Sequence, residues 1–377
     1  MAEYLTNTND LTSVANAIRT KSGTTELLAY PDEFVTAIQA IQTGTELKII
    51  VTVKSGATVT ATKGSLSVSG TSVNGTCTLT VPEAGAWSVS AMLNGQTSNT
   101  QIVSVVDSYA VELPFFSVSS TLNNNEWSVI KSVSDAGQGA NYWSIGDRKA
   151  ITLNGTVGHL TLSNYTTYVF IIGFNHNSGL EGSNRIHFQL AKTALSGGKD
   201  VALCDSKYNS QVSATGYFSM NSGATNSGGW ELSQMRVKIC GTSLSSYSGT
   251  IIAVIPAALR AVLKSVTKYT DNIGNSSAAS AVTSTTDYFF LLSEYEVFGK
   301  ISRGNKSESS KQAQYSYYSA GNSKVKYKHS ATSTAVYWWL RNPVSSSNSE
   351  FVYVYTSGVV ASSYAYTCKG FAPGFCV

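Results

Sequence analysis

The sequence lacks any long hydrophobic run. No stretch reaches about 18 apolar residues, the length that a membrane-spanning helix requires. The first seven residues, Met1-Ala2-Glu3-Tyr4-Leu5-Thr6-Asn7, show no basic segment followed by an apolar one, so the sequence predicts no signal peptide. Only 13% of the residues are charged, whereas 42% are hydrophobic. Low charge combined with much Ser, Thr, Gly and Tyr favours a β-rich protein of a particle or cell surface over a helical cytosolic enzyme.

Cysteine and histidine are also scarce. The cysteines number five and include no C-x-x-C pair, which favours buried free thiols; Cys368–Cys376 and Cys204–Cys240 disulfides remain alternatives. The four histidines, namely His159, His176, His187 and His329, show no metal-ligand spacing, and the sequence predicts no local carboxylate partner for them. Motifs for phosphate, dinucleotide or serine-nucleophile chemistry are missing. We therefore predict no catalytic residue, no metal and no cofactor. The net charge of +4 is too small to predict a nucleic-acid partner.

Hydrophobic spacing divides the chain into three predicted domains. Residues 1–45 predict two short helices with apolar stripes, which need a partner surface to be stable. Residues 46–107 predict five short strands separated by Gly and Asn turns at about ten-residue spacing, as in a small β-sandwich. A linker is expected over residues 107–114, and residues 108–377 hold the large C-terminal domain, where strands and helices mix.

Within the C-terminal domain, three segments give local predictions. The spacing after Pro256 predicts a helix to Val266, and Ser293-Glu294-Tyr295-Glu296 has capping-box spacing before a short helix. The basic segment 300–328 holds seven Lys and Arg residues against one Glu, with four interleaved Tyr residues. It predicts a solvated insertion, with a polyanion-binding loop as the alternative.

Residues 345–367 have the most informative composition. Seven of these 23 residues are Ser and four are Tyr, Glu350 is the single charged residue, and tryptophan- and glycine-rich anchors stand on both sides. Tyr offers a large contact area with few torsions and Ser offers adaptable hydrogen bonds, as in antibody contact surfaces. The pattern predicts a hairpin, with Val352 and Val354 facing the core and Tyr353 and Tyr355 facing outward. The predicted contact residues are Ser345, Ser346, Ser347, Asn348, Ser349, Tyr353, Tyr355, Ser357, Ser362, Ser363, Tyr364 and Tyr366.

Three segments resemble known families. Leu11-x-x-Val14-Ala15-x-Ala17-Ile18, followed by Pro31-x-x-Phe34-x-x-Ala37-Ile38-x-x-Ile41, resembles a module at the start of phage and prophage tail proteins. Val81-Pro82-Glu83-Ala84-Gly85-Ala86-Trp87 resembles the edge of bacterial immunoglobulin-like domains. The motifs Asn226-Ser227-Gly228-Gly229-Trp230, Ser293-Glu294-Tyr295-Glu296, Tyr337-Trp338-Trp339-Leu340-Arg341-Asn342-Pro343 and Gly370-x-x-Pro373-Gly374-Phe375-Cys376 together resemble the C-type lectin-like variable proteins of diversity-generating retroelements.

These resemblances imply a multidomain, mainly β protein. It would have an N-terminal helical hairpin for attachment or oligomerisation, an immunoglobulin-like spacer and an α+β, C-type lectin-like head related to formylglycine-generating enzymes. The implied function is a receptor-binding protein at a phage or prophage tail tip, located in the virion. Its residues 344–369 would vary and bind a host-surface protein or glycan, and its copies would assemble, with a trimer favoured. The alternatives are a bacterial surface adhesin with the same head and, remotely, an oxidising enzyme of the same fold.

Overall fold

The computed structural model describes residues 8–22, 25–29, 32–40, 46–93, 96–98, 100–113 and 118–377. The chain divides into two compact units, residues 1–115 and 116–377. Strands outnumber helices in the described ranges, and most helices are short. The prediction of a mainly β protein with several sheets and few helices is therefore confirmed. In the described part of the chain, no helix has the length and apolar character needed to cross a lipid bilayer.

Two helices begin the first unit, α1 (Thr8–Ser22) and α2 (Asp32–Ala40). They bury Ala15 and Ile18 against Phe34 and Ala37, which follows the i, i+3 and i, i+4 spacing of an amphipathic helix. The same spacing predicted Val14 and Ile38 on the buried stripes, yet both are about half exposed. Two other residues of this pattern, Pro31 and Ile41, lie outside the described residues.

The rest of the first unit is β-structure around one core. The strands are β1 (Lys48–Thr52), β2 (Thr58–Lys63), β3 (Leu66–Thr71), β4 (Thr76–Thr80), β5 (Gly85–Leu93), β6 (Gln96–Thr97), β7 (Gln101–Val105) and β8 (Ser108–Glu112). They form sheets with the strand orders β4-β1-β8 and β3-β2-β5-β6, and β7 also pairs with β5. Trp87 is fully buried in the shared core, and its Nε1 donates to the carbonyl of Glu83 at 3.1 Å. Asn74 and Gly75 form the tight turn between β3 and β4, with φ of 52° and 84°, the left-handed conformation that a two-residue hairpin turn requires.

Strand β8 corrects the predicted linker. Ser108–Glu112 pairs in parallel with β1 over five residues, and Val111 and Leu113 are buried in the same core as Trp87. The β-structure of the first unit therefore extends past residue 107. Strand β3 was also not predicted, because its side chains are mostly exposed and its Ser and Gly residues resemble a loop.

The second unit, which we call the C-terminal unit, holds four sheets around one hydrophobic core. The strands are β9 (Arg148–Val157), β10 (Leu160–Phe174), β11 (Ile186–Lys192), β12 (Val201–Ala202), β13 (Val266–Asp271), β14 (Val282–Asp287), β15 (Phe289–Phe290), β16 (Lys326–Lys328), β17 (Ala331–Val336), β18 (Trp338–Pro343), β19 (Glu350–Val354), β20 (Val360–Tyr364) and β21 (Gly374–Cys376). The largest sheet has the order β15-β21-β11-β10-β9, and the others are β12-β16-β17, β13-β14 and β18-β19-β20. The helices are α3 (Trp127–Asp135), α4 (Gly139–Tyr142), α5 (Ser178–Glu181), α6 (Ile251–Val254), α7 (Ala257–Arg260), α8 (Glu294–Phe298) and α9 (Ser316–Ser319), with 3-10 turns at Leu122–Asn124, Ala279–Ala281 and Lys306–Ser310 and a π-helix at Met235–Cys240.

The structure confirms some of the local predictions for the C-terminal unit and contradicts others. The capping box is confirmed, since Ser293 accepts from the Glu296 amide and Glu296 accepts from the Ser293 amide. The helix from Pro256 to Val266 is wrong, because helix α7 ends at Arg260 and Val266 begins β13. Segment 300–328 is not a solvated insertion: Tyr315, Tyr317 and Tyr318 are buried in the core. All five cysteines are buried and free, as predicted.

Candidate functional site

Three residues that lie far apart in the sequence form an ion cluster inside the C-terminal unit. Lys268 on β13, Glu296 on α8 and Arg341 on β18 are fully buried. Two nitrogens of Arg341 hold the Glu296 carboxylate at 2.5 and 3.0 Å, while Lys268 Nζ contacts it at 2.9 Å and Glu181 at 2.6 Å. Burial opposes ionisation of Glu296, but the charges of Arg341 and Lys268 outweigh this effect and hold its pKa well below the ordinary value. The cluster therefore ties β13, α8 and β18 into one frame.

The same cluster contains a potential metal-ligand set. One ligand atom each from His176, Glu181 and Glu296 lies within 4.8 Å of the others, and no further group of this kind occurs in the described part of the chain. Two basic residues, Lys268 and Arg341, already contact the two carboxylates, so the charges are balanced. Burial and the charge of Lys268 lower the pKa of His176 to about 3, which leaves its ring neutral. A carboxylate does lie close to His176, since its Nε2 is 3.8 Å from Glu181 Oε1, but this distance is too long for a hydrogen bond.

The buried thiols are not activated by their surroundings. Cys376 Sγ lies 3.3 Å from His187 Nδ1, and both residues are fully buried. Burial raises the pKa of Cys376 to about 12 and that of Cys368 to about 12. Both sulfurs therefore stay protonated near neutral pH, whereas a nucleophilic cysteine needs its thiolate form.

A buried asparagine holds the loop that precedes the hairpin. Asn226 Nδ2 donates to the carbonyls of Ser347 at 2.6 Å, Glu350 at 3.0 Å and Val344 at 3.4 Å, and the Asn226 amide donates to Asn348 at 2.9 Å. Because one side chain satisfies several backbone carbonyls, the loop over residues 344–350 has a defined path. The close approach also explains one nearby glycine: a Cβ on Gly274, where φ is +81°, would lie 2.0 Å from the Asn226 carbonyl oxygen.

A second set of contacts supports the start of this loop. The carboxylate of Glu294, at the start of α8, accepts the amides of Ser302 at 2.7 Å and Gly304 at 2.9 Å. Between these two residues, the carbonyl of Arg303 accepts a hydrogen bond from the Ser345 amide at 3.0 Å. The serine-rich loop therefore rests on a second set of buried polar contacts.

The structure places eleven of the twelve predicted contact residues where solvent reaches them. The exception is Tyr353, which is only 8% exposed and packs in the core. The prediction that Tyr353 faces outward is therefore wrong, because both faces of β19 are covered: every residue from Phe351 to Val354 is buried. The exposed residues are Ser346, Asn348, Tyr355, Ser357 and Tyr364, and the half-buried ones are Ser345, Ser347, Ser349, Ser362, Ser363 and Tyr366.

The hairpin divides its tyrosines between two faces. In the β19–β20 register, Tyr364 lies opposite Glu350 and Tyr353 lies opposite Ala361. Opposed residues share a face and neighbours along a strand alternate, so Tyr364 and Tyr353 point to opposite sides of the sheet. The turn that joins the strands is confirmed, since the Gly358 amide donates to the Tyr355 carbonyl at 2.8 Å.

The first face is an aromatic cluster formed by Tyr337, Trp339, Tyr353 and Tyr355. Ring centroids lie 4.8 Å apart between Tyr337 and Tyr355, and 5.5 Å apart between Tyr337 and Tyr353. The Nζ atom of Lys369 lies behind these rings, 4.2 Å from the Tyr353 centroid. Tyr337 and Lys369 were not among the predicted contact residues, because both lie outside the Ser- and Tyr-rich tract of residues 345–367. Tyr337 could have been predicted from strand alternation, because side chains two positions apart share a face and Tyr337 stands two positions before Trp339.

The second face, which we call the Tyr364 face, consists of Glu350, Ser362, Tyr364 and Tyr366. Tyr364 is 47% exposed, and its ring centroid lies 5.9 Å from that of Tyr366. Ser362 Oγ donates to Glu350 at 3.0 Å, and the Tyr366 hydroxyl donates to Gln211 at 2.9 Å. Gln211 was not predicted either, because it lies far from this tract along the chain. This face therefore combines one exposed and one half-buried ring with hydrogen-bonded polar groups.

Comparison with protein families gives a match over the last part of the chain. Residues 211–377 match a family model described as "Domain of unknown function (DUF6273)". The matched region is similar to that family and contains every predicted contact residue, as well as Asn226, Lys268, Glu296 and Arg341. No curated protein matches the chain.

Proposed function

We propose that the protein is a receptor-binding protein of a phage or prophage tail tip. In this proposal, residues 1–45 attach or oligomerise the protein and the β-structure of residues 46–113 is an immunoglobulin-like spacer. The C-terminal unit is a C-type lectin-like head that binds a ligand on the host surface. No catalytic role is part of the proposal.

One observation carries the proposal: hydroxyl-rich side chains are exposed on a backbone that buried polar groups hold. Asn226 and the segment supported by Glu294 fix the loop over residues 344–350, while its side chains and those of the hairpin stay accessible to solvent. Fixing the backbone beforehand lowers the entropy cost of binding. It also lets surface side chains change without loss of the frame, as the proposal requires of residues 344–369.

The test removes the accessible rings. We expect purified protein with Tyr355, Tyr364 and Tyr366 replaced by Ala to lose adsorption to bacterial strains that the unaltered protein binds. The matched control is Tyr109→Ala, because Tyr109 on β8 is as exposed as Tyr355, at 40% against 39%. Circular dichroism checks that each variant is folded. A folded triple variant that adsorbs like the unaltered protein would contradict the assigned surface.

The gene's surroundings test the other half of the proposal. We expect tail-assembly genes beside it, and a reverse transcriptase gene with a repeat that matches the codons of residues 344–369. Secretion genes in the same place would instead favour the surface adhesin, which has the same head.

A further inference from the structure

The ammonium group of Lys369 has no anionic partner. Lys369 is only 3% exposed, and in the described chain no carboxylate lies within ion-pair distance of its Nζ and no hydrogen bond leaves it. Every other buried lysine of the C-terminal unit contacts oxygen atoms. Lys192 and Lys326 face Asp200, Lys268 faces Glu181 and Glu296, and Lys149 donates to two backbone carbonyls.

Aromatic rings surround this charge on the inner side. Nζ lies 4.2 Å from the ring centroid of Tyr353, 4.9 Å from that of Tyr337 and 5.4 Å from that of Trp339. Ring faces attract a cation, but they do not replace the hydrogen bonds that an ammonium group makes in water. The group is therefore held in place while its hydrogen-bonding capacity is unused.

Solvent still reaches the Lys369 ammonium. In the described chain, the fully enclosed side-chain polar atoms without a partner are His176 Nε2, His187 Nε2 and Gln234 Oε1, and Lys369 Nζ is not among them. Two rings of the aromatic cluster also open to solvent: Tyr337 is half-buried and Tyr355 is 39% exposed. A small group at the surface can thus approach the cation beside these rings.

We propose that the aromatic cluster and Lys369 bind an anionic saccharide, whose carboxylate or sulfate group pairs with the Lys369 ammonium. This inference rests on the proposed ligand-binding role of the hairpin and names the class of ligand. The rings of Tyr337 and Tyr355 offer flat apolar surface to a sugar ring, and their hydroxyls offer hydrogen bonds. An acidic peptide would require pockets for alternate side chains, whereas the groups found here are ring faces and hydroxyls.

The charge of the C-terminal unit favours the same class of ligand. Residues 116–377 contain 21 Lys and Arg against 13 Asp and Glu, a net charge of +8, whereas residues 1–115 contain 5 against 9, a net charge of −4. A positive field over one unit attracts anionic ligands to it.

The proposal has a consequence for pH. Burial lowers the pKa of Lys369 to about 8, and an anion beside the ammonium raises it again. Binding therefore takes up a proton and weakens as the pH rises through this value. The other titratable groups packed around Nζ do not change charge here, because burial raises the pKa of Cys368 to about 12 and the pKa values of the Tyr337 and Tyr353 phenols are also raised. Asp205 and Lys207 act on Cys368 from the adjoining loop.

The experiment compares two probes that differ by one carboxylate, methyl β-D-glucuronide and methyl β-D-glucoside, on the full-length protein. We expect the glucuronide to bind about tenfold more tightly at about pH 7 and to lose this preference by about pH 9. Lys369→Met should abolish the preference. Lys238→Met, which changes an exposed lysine of the same unit, should retain it.

Several outcomes would overturn the inference. Equal binding of both probes would do so, as would a preference that survives in folded Lys369→Met. If Lys369→Met does not fold, the pH dependence of the unaltered protein is the test. A glucuronide preference that is the same at both pH values would rule out Lys369 as its source. Binding of a short glutamate-rich peptide instead of the glucuronide would overturn the ligand class. Cell adsorption is measured separately, so a glucuronide preference without adsorption would count against the tail-tip role alone.

Discussion

At the scale of single residues, the Glu296 carboxylate is shared by two buried cations. Replacing it by Gln leaves the charges of Arg341 and Lys268 in the interior without their common partner. We expect Glu296→Gln to destabilise the C-terminal unit by about 3–5 kcal/mol. Urea unfolding followed by tryptophan fluorescence measures this, since five of the six tryptophans lie in residues 116–377. Glu231→Gln, at an exposed position, is the control and should change the stability little; equal effects of both substitutions would contradict the role given to the cluster.

The pKa of His329 makes a second residue-scale prediction. His329 Nδ1 accepts the Cys204 amide at 3.1 Å, and burial together with the charge of Lys328 lowers the pKa of His329 to about 4. The unfolded chain binds a proton near the ordinary value of 6.5 and the folded chain does not, so the stability falls as the pH decreases from about 6.5 to about 4.

We expect His329 to contribute about 1–2 kcal/mol to the loss of stability between about pH 7 and about pH 5. His329→Gln keeps an acceptor for the Cys204 amide but does not titrate, so its unfolding free energy should depend less on pH. Denaturant titrations at both pH values measure the difference. Identical pH dependence in the two proteins would show that His329 is not protonated on unfolding.

At the scale of elements, Asn226 makes the loop over residues 344–350 part of the frame. Asn226→Ala removes the donor of three backbone carbonyls, and we expect it to cost about 2–3 kcal/mol and to speed hydrogen exchange in this loop. Asn322→Ala is the matched control, because Asn322 donates to one carbonyl, that of Tyr317 at 2.8 Å. Exchange mass spectrometry measures both variants. An unchanged exchange rate over 344–350 in Asn226→Ala would show that the loop does not depend on this side chain.

Elements were predictable where the decisive contacts are local. The capping box at Ser293 and the turn before Gly358 depend on residues three or four positions apart, and both are present. The outward orientation of Tyr353 failed because alternation assumes one solvent face, whereas β19 is covered on both. The predicted helix after Pro256 is wrong because apolar spacing does not show where a helix ends: α7 stops at Arg260, whose guanidinium donates to the carbonyls of residues 252, 253 and 255.

Contacts between distant segments set the rest of the candidate site. Glu181, Lys268 and Arg341 meet in one cluster although about 160 residues separate the first from the last. Lys369 reaches Tyr353 and Tyr337 because the chain returns to the sheet after the hairpin, at the bridge between Trp338 and Gly370. Sequence spacing does not reveal contacts between residues so far apart. The exposed tract over residues 345–367 could therefore be predicted from the sequence, but the position of the Lys369 ammonium beside it could not.

At the scale of the whole molecule, each unit has hydrophobic residues of its own to bury. The β-structure of residues 46–113 packs around Trp87, and the C-terminal unit has a separate large core. The two helices bury far less: Ala15, Ile18, Phe34 and Ala37 form their cluster, with Leu28 packed against it. A pair of short helices with so small a core gains stability from further packing, which is the physical reason to expect assembly through this segment.

Exposed apolar side chains on these helices allow a test of assembly. Val14, Val35 and Ile38 are 49%, 52% and 52% exposed, and in the proposed oligomer they contact neighbouring copies. We expect replacement of all three by Ser to lower the molar mass measured by light scattering and to weaken adsorption to cells, because a single head lacks the gain from multiple attachment. The control replaces the exposed Val73, Ile102 and Val106 of the same unit by Ser and should leave the mass unchanged. Loss of assembly only in the control variant would show that the copies contact each other through the β-structure and not through the helices. An unchanged molar mass in both variants would exclude both surfaces as the contact.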